Sequence, residues 1–205
     1  MQLRTICRPA FFVATAPLVF SLAHATSVIA PKLSELVARA DYIVRTETKS
    51  VRTEWRGENE SRRIVTIVSV QVLEPVVGKA PPALELEFLG GTLGGESMRV
   101  IDQPHFSPGD RDILFVENNG RQICPLVHMG YGRYPLVRDR AAKGREAVAR
   151  GNGEILASVD EISRPFGCSQ TTTTALATHS GLAPAAFEAK IKQVATELGR
   201  EDVAP

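Results

Sequence analysis

The sequence predicts a mainly β fold, in which a closed or sandwich-like antiparallel sheet is flanked by one helix near each end of the chain. Three observations predict it. Segments rich in β-branched and aromatic residues recur at short intervals, and glycine, proline, asparagine and aspartate separate them. Apolar residues at helical spacing occur in two segments, residues 33–40 and 183–198. Short strands joined by turn residues are typical of antiparallel sandwiches and barrels.

The strands are predicted where apolar residues alternate with polar ones or where β-branched residues run together. In the third strand, apolar and acidic residues alternate from Leu84 to Phe88, so one face meets the core and the other meets water. The second strand is partly buried on both faces, because valine and isoleucine dominate it. In chain order the predicted strands span residues 41–55, 62–76, 83–90, 97–101, 111–118, 126–137 and 144–149.

The C-terminal helix carries an apolar stripe, which we interpret as a surface that packs against the sheet; a partner-binding helix is the alternative. The stripe consists of Phe187, Ile191, Val194 and Leu198. A polar, threonine-rich segment precedes this helix. The chain therefore divides into a β domain at residues 26–166 and a polar linker with the C-terminal helix at residues 167–205.

Residues 1–25 have the three parts of a secretory signal. Arg4 and Arg8 precede an apolar run at residues 10–23, and a small-x-small triplet ends at Ala25. The apolar run is shorter than a membrane helix, which needs about 20 residues. We therefore predict cleavage after Ala25 and no stable membrane span afterwards. The predicted location is the periplasm or the extracellular medium.

The charge of the chain bears on its partners. Removal of residues 1–25 takes away two arginines and no acidic residue, which changes the formal net charge from +1 to −1. A near-neutral chain lacks the concentrated basic face of nucleic-acid-binding proteins and of polybasic membrane-surface proteins. We therefore expect no nucleic-acid partner.

Two cysteines, Cys124 and Cys168, remain after the predicted cleavage. In an oxidising compartment two thiols favour one disulfide, which is our prediction. A metal site and a catalytic thiol are the alternatives, but the sequence has no C-x-x-C pair and no second pair of ligands at zinc spacing.

The stretch FLGGTLGGESMRV, residues 88–100, has glycine pairs that raise the question of a phosphate loop. A Walker A loop needs lysine and then serine or threonine after its last glycine, but Glu96 follows Gly95. A dinucleotide fingerprint opens a helix, whereas this stretch leads into a predicted strand. The glycines are therefore predicted to turn the sheet tightly, and no cofactor is expected. A ligand that approaches this bare backbone is the alternative.

One loop holds the residues that most resemble a catalytic or metal site. His105 lies between Asp102 and Asp110, so an exported hydrolase or metal-dependent enzyme that uses this loop is the alternative function. The chain has no H-E-x-x-H helix and no G-x-S-x-G elbow, and we predict no metal and no catalytic residue. His128 and Cys124 are predicted to lie about 13 Å apart on one strand, too far for a nucleophile pair.

Several short motifs follow one another in an order that is known from other proteins. A short helix precedes ADYIV at residues 40–44, a long strand ends near VLEPVVGK at residues 72–79, and FSPGDRDILFV occupies residues 106–116. This order resembles a group of uncharacterised exported bacterial proteins, and also the netrin and tissue-inhibitor-of-metalloproteinase modules. The resemblance covers residues 33–137 and implies an OB-like five-stranded barrel with flanking helices. In the inhibitor family a cysteine at the mature N-terminus chelates the target's zinc, but Thr26 stands there in this chain, so that mode of inhibition is not implied.

We expect a small OB-like barrel that acts as an exported binding or envelope-associated module, with an exported protein or an envelope component as its partner. Trp55, Arg99 and Tyr131 are the candidate binding residues on a barrel face or rim, and packing that completes the barrel is their alternative role. The glycine-rich corner and the loop at residues 101–110 flank the predicted strand at residues 97–101. We therefore expect this corner and this loop to form no common patch.

Overall fold

The computed structural model describes residues 30–101, 103–166 and 180–200. The predicted signal, Asp102, Cys168 and the threonine-rich segment therefore lie outside the described residues. The helices and strands are, in chain order, α1 (Leu33–Arg39), β1 (Tyr42–Arg56), β2 (Arg63–Val77), β3 (Ala83–Leu89), β4 (Gly91–Leu93), β5 (Glu96–Met98), β6 (Arg111–Val116), β7 (Arg133–Asp139), β8 (Arg145–Val148) and α2 (Pro184–Glu197).

The strands form an antiparallel sheet in the order β3-β2-β1-β6-β7-β8, and β4 pairs with β5 as a separate hairpin. β1 and β2 are each 15 residues long and pair along most of their length. The expectation of a mainly β antiparallel fold with two helices is confirmed. The sheet does not close into a barrel: β7 pairs onward with β8, and within the described chain no ladder joins the edge strands β3 and β8.

A short segment after β6 links the two outer strands of the four-stranded part β3-β2-β1-β6. The backbone N–H of Cys124 donates a hydrogen bond of 2.7 Å to the backbone oxygen of Glu87 in β3. Two residues further on, Leu126 forms an isolated bridge with Val116 in β6. This segment therefore lies between β3 and β6, joined to β3 by a single backbone hydrogen bond instead of a ladder.

The sheet buries both of its faces along β1 and β6. Consecutive strand residues point to opposite faces, yet Ile43 and Val44 are both fully buried, as are Ile113 and Leu114. One core lies on the face that α1 and α2 cover. The second core consists of Val44, Val68, Val70, Leu84, Leu86, Phe88, Leu114, Val116 and Leu126. Burial on both sides explains why β6 is apolar without alternation.

Helix α2 packs on the first core together with α1. The predicted packing of the apolar stripe is confirmed for Phe187, Ile191 and Val194, which are buried. Leu198 follows the last helical residue and is 47% exposed, so the stripe ends one turn earlier than the spacing predicts.

The glycine-rich stretch forms the β4–β5 hairpin, which confirms its predicted role as a tight turn. Gly94 and Gly95 occupy the turn with φ of 62° and 85°, a conformation that glycine adopts without steric cost. Gly91 lies so close to the sheet that an added Cβ would stand 2.7 Å from side-chain atoms of Thr53 and Thr66. Close backbone approach and a tight turn therefore account for the glycines without a nucleotide.

Candidate functional site

Arg133, at the start of β7, holds the loop before β6 against the sheet. Its guanidinium donates to the backbone oxygen of His105 and, at 2.8 Å, to Oδ2 of Asp110. Its Cζ lies 4.0 Å from the centre of the Phe106 ring. The Asp110 carboxylate also accepts a hydrogen bond of 2.9 Å from the backbone N–H of Ser107. The contacts of the Asp110 carboxylate therefore hold the loop in place.

Among the described residues of this loop, His105 and Asp110 do not pair with each other. The His105 side chain is exposed, and the part of the chain that the structure describes shows no hydrogen bond between its imidazole and a carboxylate. Asp102, the remaining member of the candidate cluster, lies outside the described residues. Among those residues no three histidine, cysteine or acidic side chains are grouped so that they can hold a metal ion.

Asp112 forms the buried part of the same ion-pair network. It is fully buried in β6, and its Oδ1 accepts a hydrogen bond of 2.7 Å from Nε of Arg133. Burial raises the pKa of Asp112, and the positive charge of Arg133 opposes that rise. Because a buried carboxylate without a partner is costly, we assign the network to the stability of the fold.

Two of the three candidate binding residues take part in packing contacts. Tyr131 is 7% exposed, its ring stacks on Phe166 with 3.9 Å between the ring centres, and its hydroxyl accepts a hydrogen bond from the backbone N–H of Phe166. Trp55 is half-buried near the end of β1, and the Arg62 guanidinium lies 3.9 Å from its ring centre. Tyr131 therefore completes the core, and Trp55 forms a cation–π contact at the sheet end.

The third candidate, Arg99, lines a cavity of about 350 Å³ together with His105; we call it the Arg99 cavity. Gly91 and Thr92 of the glycine-rich hairpin line it too. The expectation that this hairpin and the His105 loop form no common patch is therefore wrong. The hairpin folds back onto the sheet, where Oγ1 of Thr53 donates to the backbone oxygen of Thr92 at 3.0 Å.

A second cavity, of about 620 Å³, lies where α1, β2, β3 and the segment after β6 meet; we call it the His128 cavity. Its apolar lining consists of Leu89, Val100, Ile123, Leu126 and Met129. Its polar lining consists of Arg39, Arg63, Gln103, Glu117, Gln122, Cys124 and His128. Polar residues outnumber apolar ones, but apolar atoms form the larger part of the cavity surface. Apolar walls with convergent polar groups are the usual form of a binding site.

Arg39 connects the polar groups of the His128 cavity. Its Nη2 donates to both carboxylate oxygens of Glu117 at 3.1 Å, and its Nη1 lies 3.4 Å from Nε2 of His128. Glu117 is only 8% exposed, whereas Arg39 and His128 are exposed. The arginine thereby neutralises the buried carboxylate and leaves part of its own surface open to the cavity.

The backbone around the His128 cavity is strained. Asn118, Cys124, His128 and Met129 have φ between 51° and 62°, the left-handed region that residues with a side chain rarely adopt. Such residues cost on the order of 1 kcal/mol each and cluster at functional sites. The predicted strand at residues 126–137 is wrong in its first half, because the left-handed His128 begins a 3₁₀ turn instead.

Cys124 lines the same cavity, and its side chain is half-buried. Burial raises the pKa of its thiol, and the nearby Glu117 carboxylate adds to that rise. A raised pKa keeps the sulfur protonated at neutral pH, which disfavours a catalytic thiol. Cys124 forms no disulfide with another described residue, and its predicted partner Cys168 lies outside the described chain, so the disulfide stays a prediction.

The two cavities adjoin. Leu89, Val100 and Gln103 line both of them, so the Arg99 cavity and the His128 cavity form one surface, which we call the double-cavity surface. Ile101, beside Val100 in the chain, is 82% exposed, and Met129 is 37% exposed. The sequence pointed to Arg99 and His105 here but missed the His128 side, because its residues come from four separate elements and share no spacing.

Comparison with known proteins found no relative. No protein-family model, no curated protein and no solved structure matches the chain. In residues 30–101, 103–166 and 180–200, neither helix is long and apolar enough to cross a membrane.

Proposed function

We propose that the protein is an exported, non-enzymatic binding module that recognises an exported or envelope-associated protein through the double-cavity surface. The observation that carries the proposal is the junction of two cavities, about 350 and 620 Å³, where the exposed Met129 lines the larger one and the exposed Ile101 follows Val100, which lines both. Exposed apolar residues at a recessed site are typical of protein-binding surfaces. Export rests on the three-part N-terminal signal.

An OB-like topology belongs to the same proposal. The order β3-β2-β1-β6 and the hydrogen bond from Cys124 to Glu87 support it, because these four strands and the segment with Leu126 together surround the second core. OB-like barrels bind their ligands on one face and in the adjoining loops. The double-cavity surface has such a position, beside the glycine-rich hairpin and the His105 loop.

The enzymatic alternative has less support. A hydrolase at the His105 loop needs a carboxylate to orient the imidazole, but Arg133 and the Ser107 backbone occupy the Asp110 carboxylate. A cysteine nucleophile needs a thiolate, and burial raises the pKa of Cys124. Of the described groups, neither Asp110 nor Cys124 has the environment that its catalytic role requires, and Asp102 lies outside the described residues.

Substitution of the two exposed apolar residues tests the proposed site. We expect Ile101→Ser and Met129→Ser, combined, to reduce capture of a partner from envelope extract about tenfold or more, because buried apolar anchors dominate interface energies. Leu73→Ser is the matched control, since Leu73 is 43% exposed on β2 and lines neither cavity. Quantitative mass spectrometry of the captured proteins measures the effect.

The control variant should capture the same partner as the unmodified protein. Circular dichroism and thermal unfolding confirm that each variant is folded before capture is compared. Equal capture by the Ile101→Ser, Met129→Ser protein and the Leu73→Ser protein would contradict the assignment of the site.

A further inference from the structure

Among the described residues that line the double-cavity surface, the charged side chains are mostly basic. Arg39, Arg63 and Arg99 line it, together with His105 and His128. Among the described lining residues Glu117 is the one carboxylate, and Arg39 pairs with it. A chain whose formal net charge is −1 after the predicted cleavage therefore concentrates positive charge here. Such a field attracts an anionic partner.

Arginine and histidine side chains meet at the His128 cavity. Nη1 of Arg39 lies 3.4 Å from Nε2 of His128, and a guanidinium has only N–H donors. Arg63 and Arg99, both exposed, supply further donors around the cavities.

The same surface also selects for an apolar group. Leu89, Val100, Leu126 and Met129 form much of the His128 cavity, whose volume of about 620 Å³ accommodates large side chains. A purely ionic ligand would leave these apolar walls without a partner. The surface therefore matches a ligand that combines carboxylates with a large apolar side chain.

We propose that the double-cavity surface binds an acidic peptide segment of the partner protein, with one large apolar side chain in the His128 cavity and carboxylates beside Arg63 and Arg99. The inference rests on the proposed function and specifies the partner's chemistry. Two recesses favour a peptide over an anionic membrane, because a bilayer presents a flat array of phosphates. A peptide instead places separate side chains in each recess.

Selection from a random dodecapeptide display library on the immobilised protein tests this inference. We expect enriched peptides to be rich in aspartate and glutamate and to contain one leucine, isoleucine, methionine or phenylalanine. Arg63→Glu combined with Arg99→Glu should weaken their binding about tenfold or more, and added salt should weaken it as well. Arg138→Glu combined with Arg140→Glu is the matched control, because it changes the net charge equally at exposed positions that line neither cavity.

The outcomes distinguish failure of the acidic-peptide inference from failure of the proposed binding function. Enriched peptides that are neutral or basic, or that bind the Arg63→Glu, Arg99→Glu protein as well as the control, would overturn the acidic partner and leave a binding module. Absence of any enriched peptide would count against the proposed function itself. Binding to phosphatidylglycerol vesicles that the Arg63→Glu, Arg99→Glu change abolishes, without peptide binding, would replace both proposals with a membrane surface.

Discussion

Replacement of Arg133 by methionine should lower the free energy of unfolding by about 3–5 kcal/mol, because it leaves the buried carboxylate of Asp112 without a partner. Arg133 is 5% exposed and Asp112 is fully buried, and 2.7 Å separates Nε from Oδ1. The same change releases Asp110 and the His105 loop. Urea unfolding followed by circular dichroism measures the loss.

The loss should depend on pH in a defined direction. Without Arg133, burial raises the pKa of Asp112 further, so the folded state binds more protons than the unfolded state above the ordinary aspartate pKa of about 3.9. Stability is then lost as pH rises, by up to about 1.4 kcal/mol per pH unit. We therefore expect a smaller deficit near about pH 5 than near about pH 7.5. A deficit that is constant over this range would contradict the buried carboxylate as its cause.

A second substitution distinguishes the effect of the buried charge on stability from the effect of the altered packing. Adding Asp112→Asn to the Arg133→Met protein removes the buried charge, so part of the lost stability should return and its pH dependence should disappear. If the losses in the free energy of unfolding from the two substitutions add, with no recovery in the double variant, the two side chains do not act as a pair.

Replacement of Phe187 by alanine should cost about 3–5 kcal/mol, because Phe187 is the aromatic anchor of α2 in the first core. It is fully buried, and its ring centre lies 4.9 Å from that of Tyr134 and 6.4 Å from that of Phe115. Leu198→Ala is the matched control and should cost less than about 0.5 kcal/mol, since Leu198 is 47% exposed. Thermal and urea unfolding measure both variants.

The contrast between the two positions tests whether α2 belongs to the core of the β domain. The sequence places Phe187 and Leu198 on one stripe, whereas Phe187 is fully buried in the first core and Leu198 is 47% exposed. Equal costs for the two substitutions would mean that α2 does not pack in the way described. A cost below about 1 kcal/mol for Phe187→Ala would mean the same.

Most of the fold follows from local patterns in the sequence. Local periodicity is enough to find the elements that bury one face or stripe. Examples are the alternation in β3, the β-branched runs of β1 and β2 and the apolar stripe of α2. The β4–β5 hairpin follows from its glycine pairs. Whether the sheet closes depends on which distant strands pair, which no local pattern contains.

The errors have physical causes as well. The turn at residues 128–132 was missed, because its left-handed residues, His128 and Met129, are neither glycine nor asparagine. Gly130 and Gly132 within it were assigned to a strand. Asp112 did carry a signal, since a charged residue at the start of a strand buried on both faces needs a partner. The His128 cavity had none, because Arg39, Arg63 and the residues after β6 meet only once the chain is folded.

The central claim is that the double-cavity surface is where the protein binds its partner. Hydrogen–deuterium exchange of the protein, with and without the tightest peptide from the display selection, tests it most directly. We predict slower exchange on binding at residues 98–101 and 122–129, with no change in α2 or at residues 138–146. Protection confined to α2 or to residues 138–146, with exchange at residues 98–101 and 122–129 unchanged, would contradict the claim.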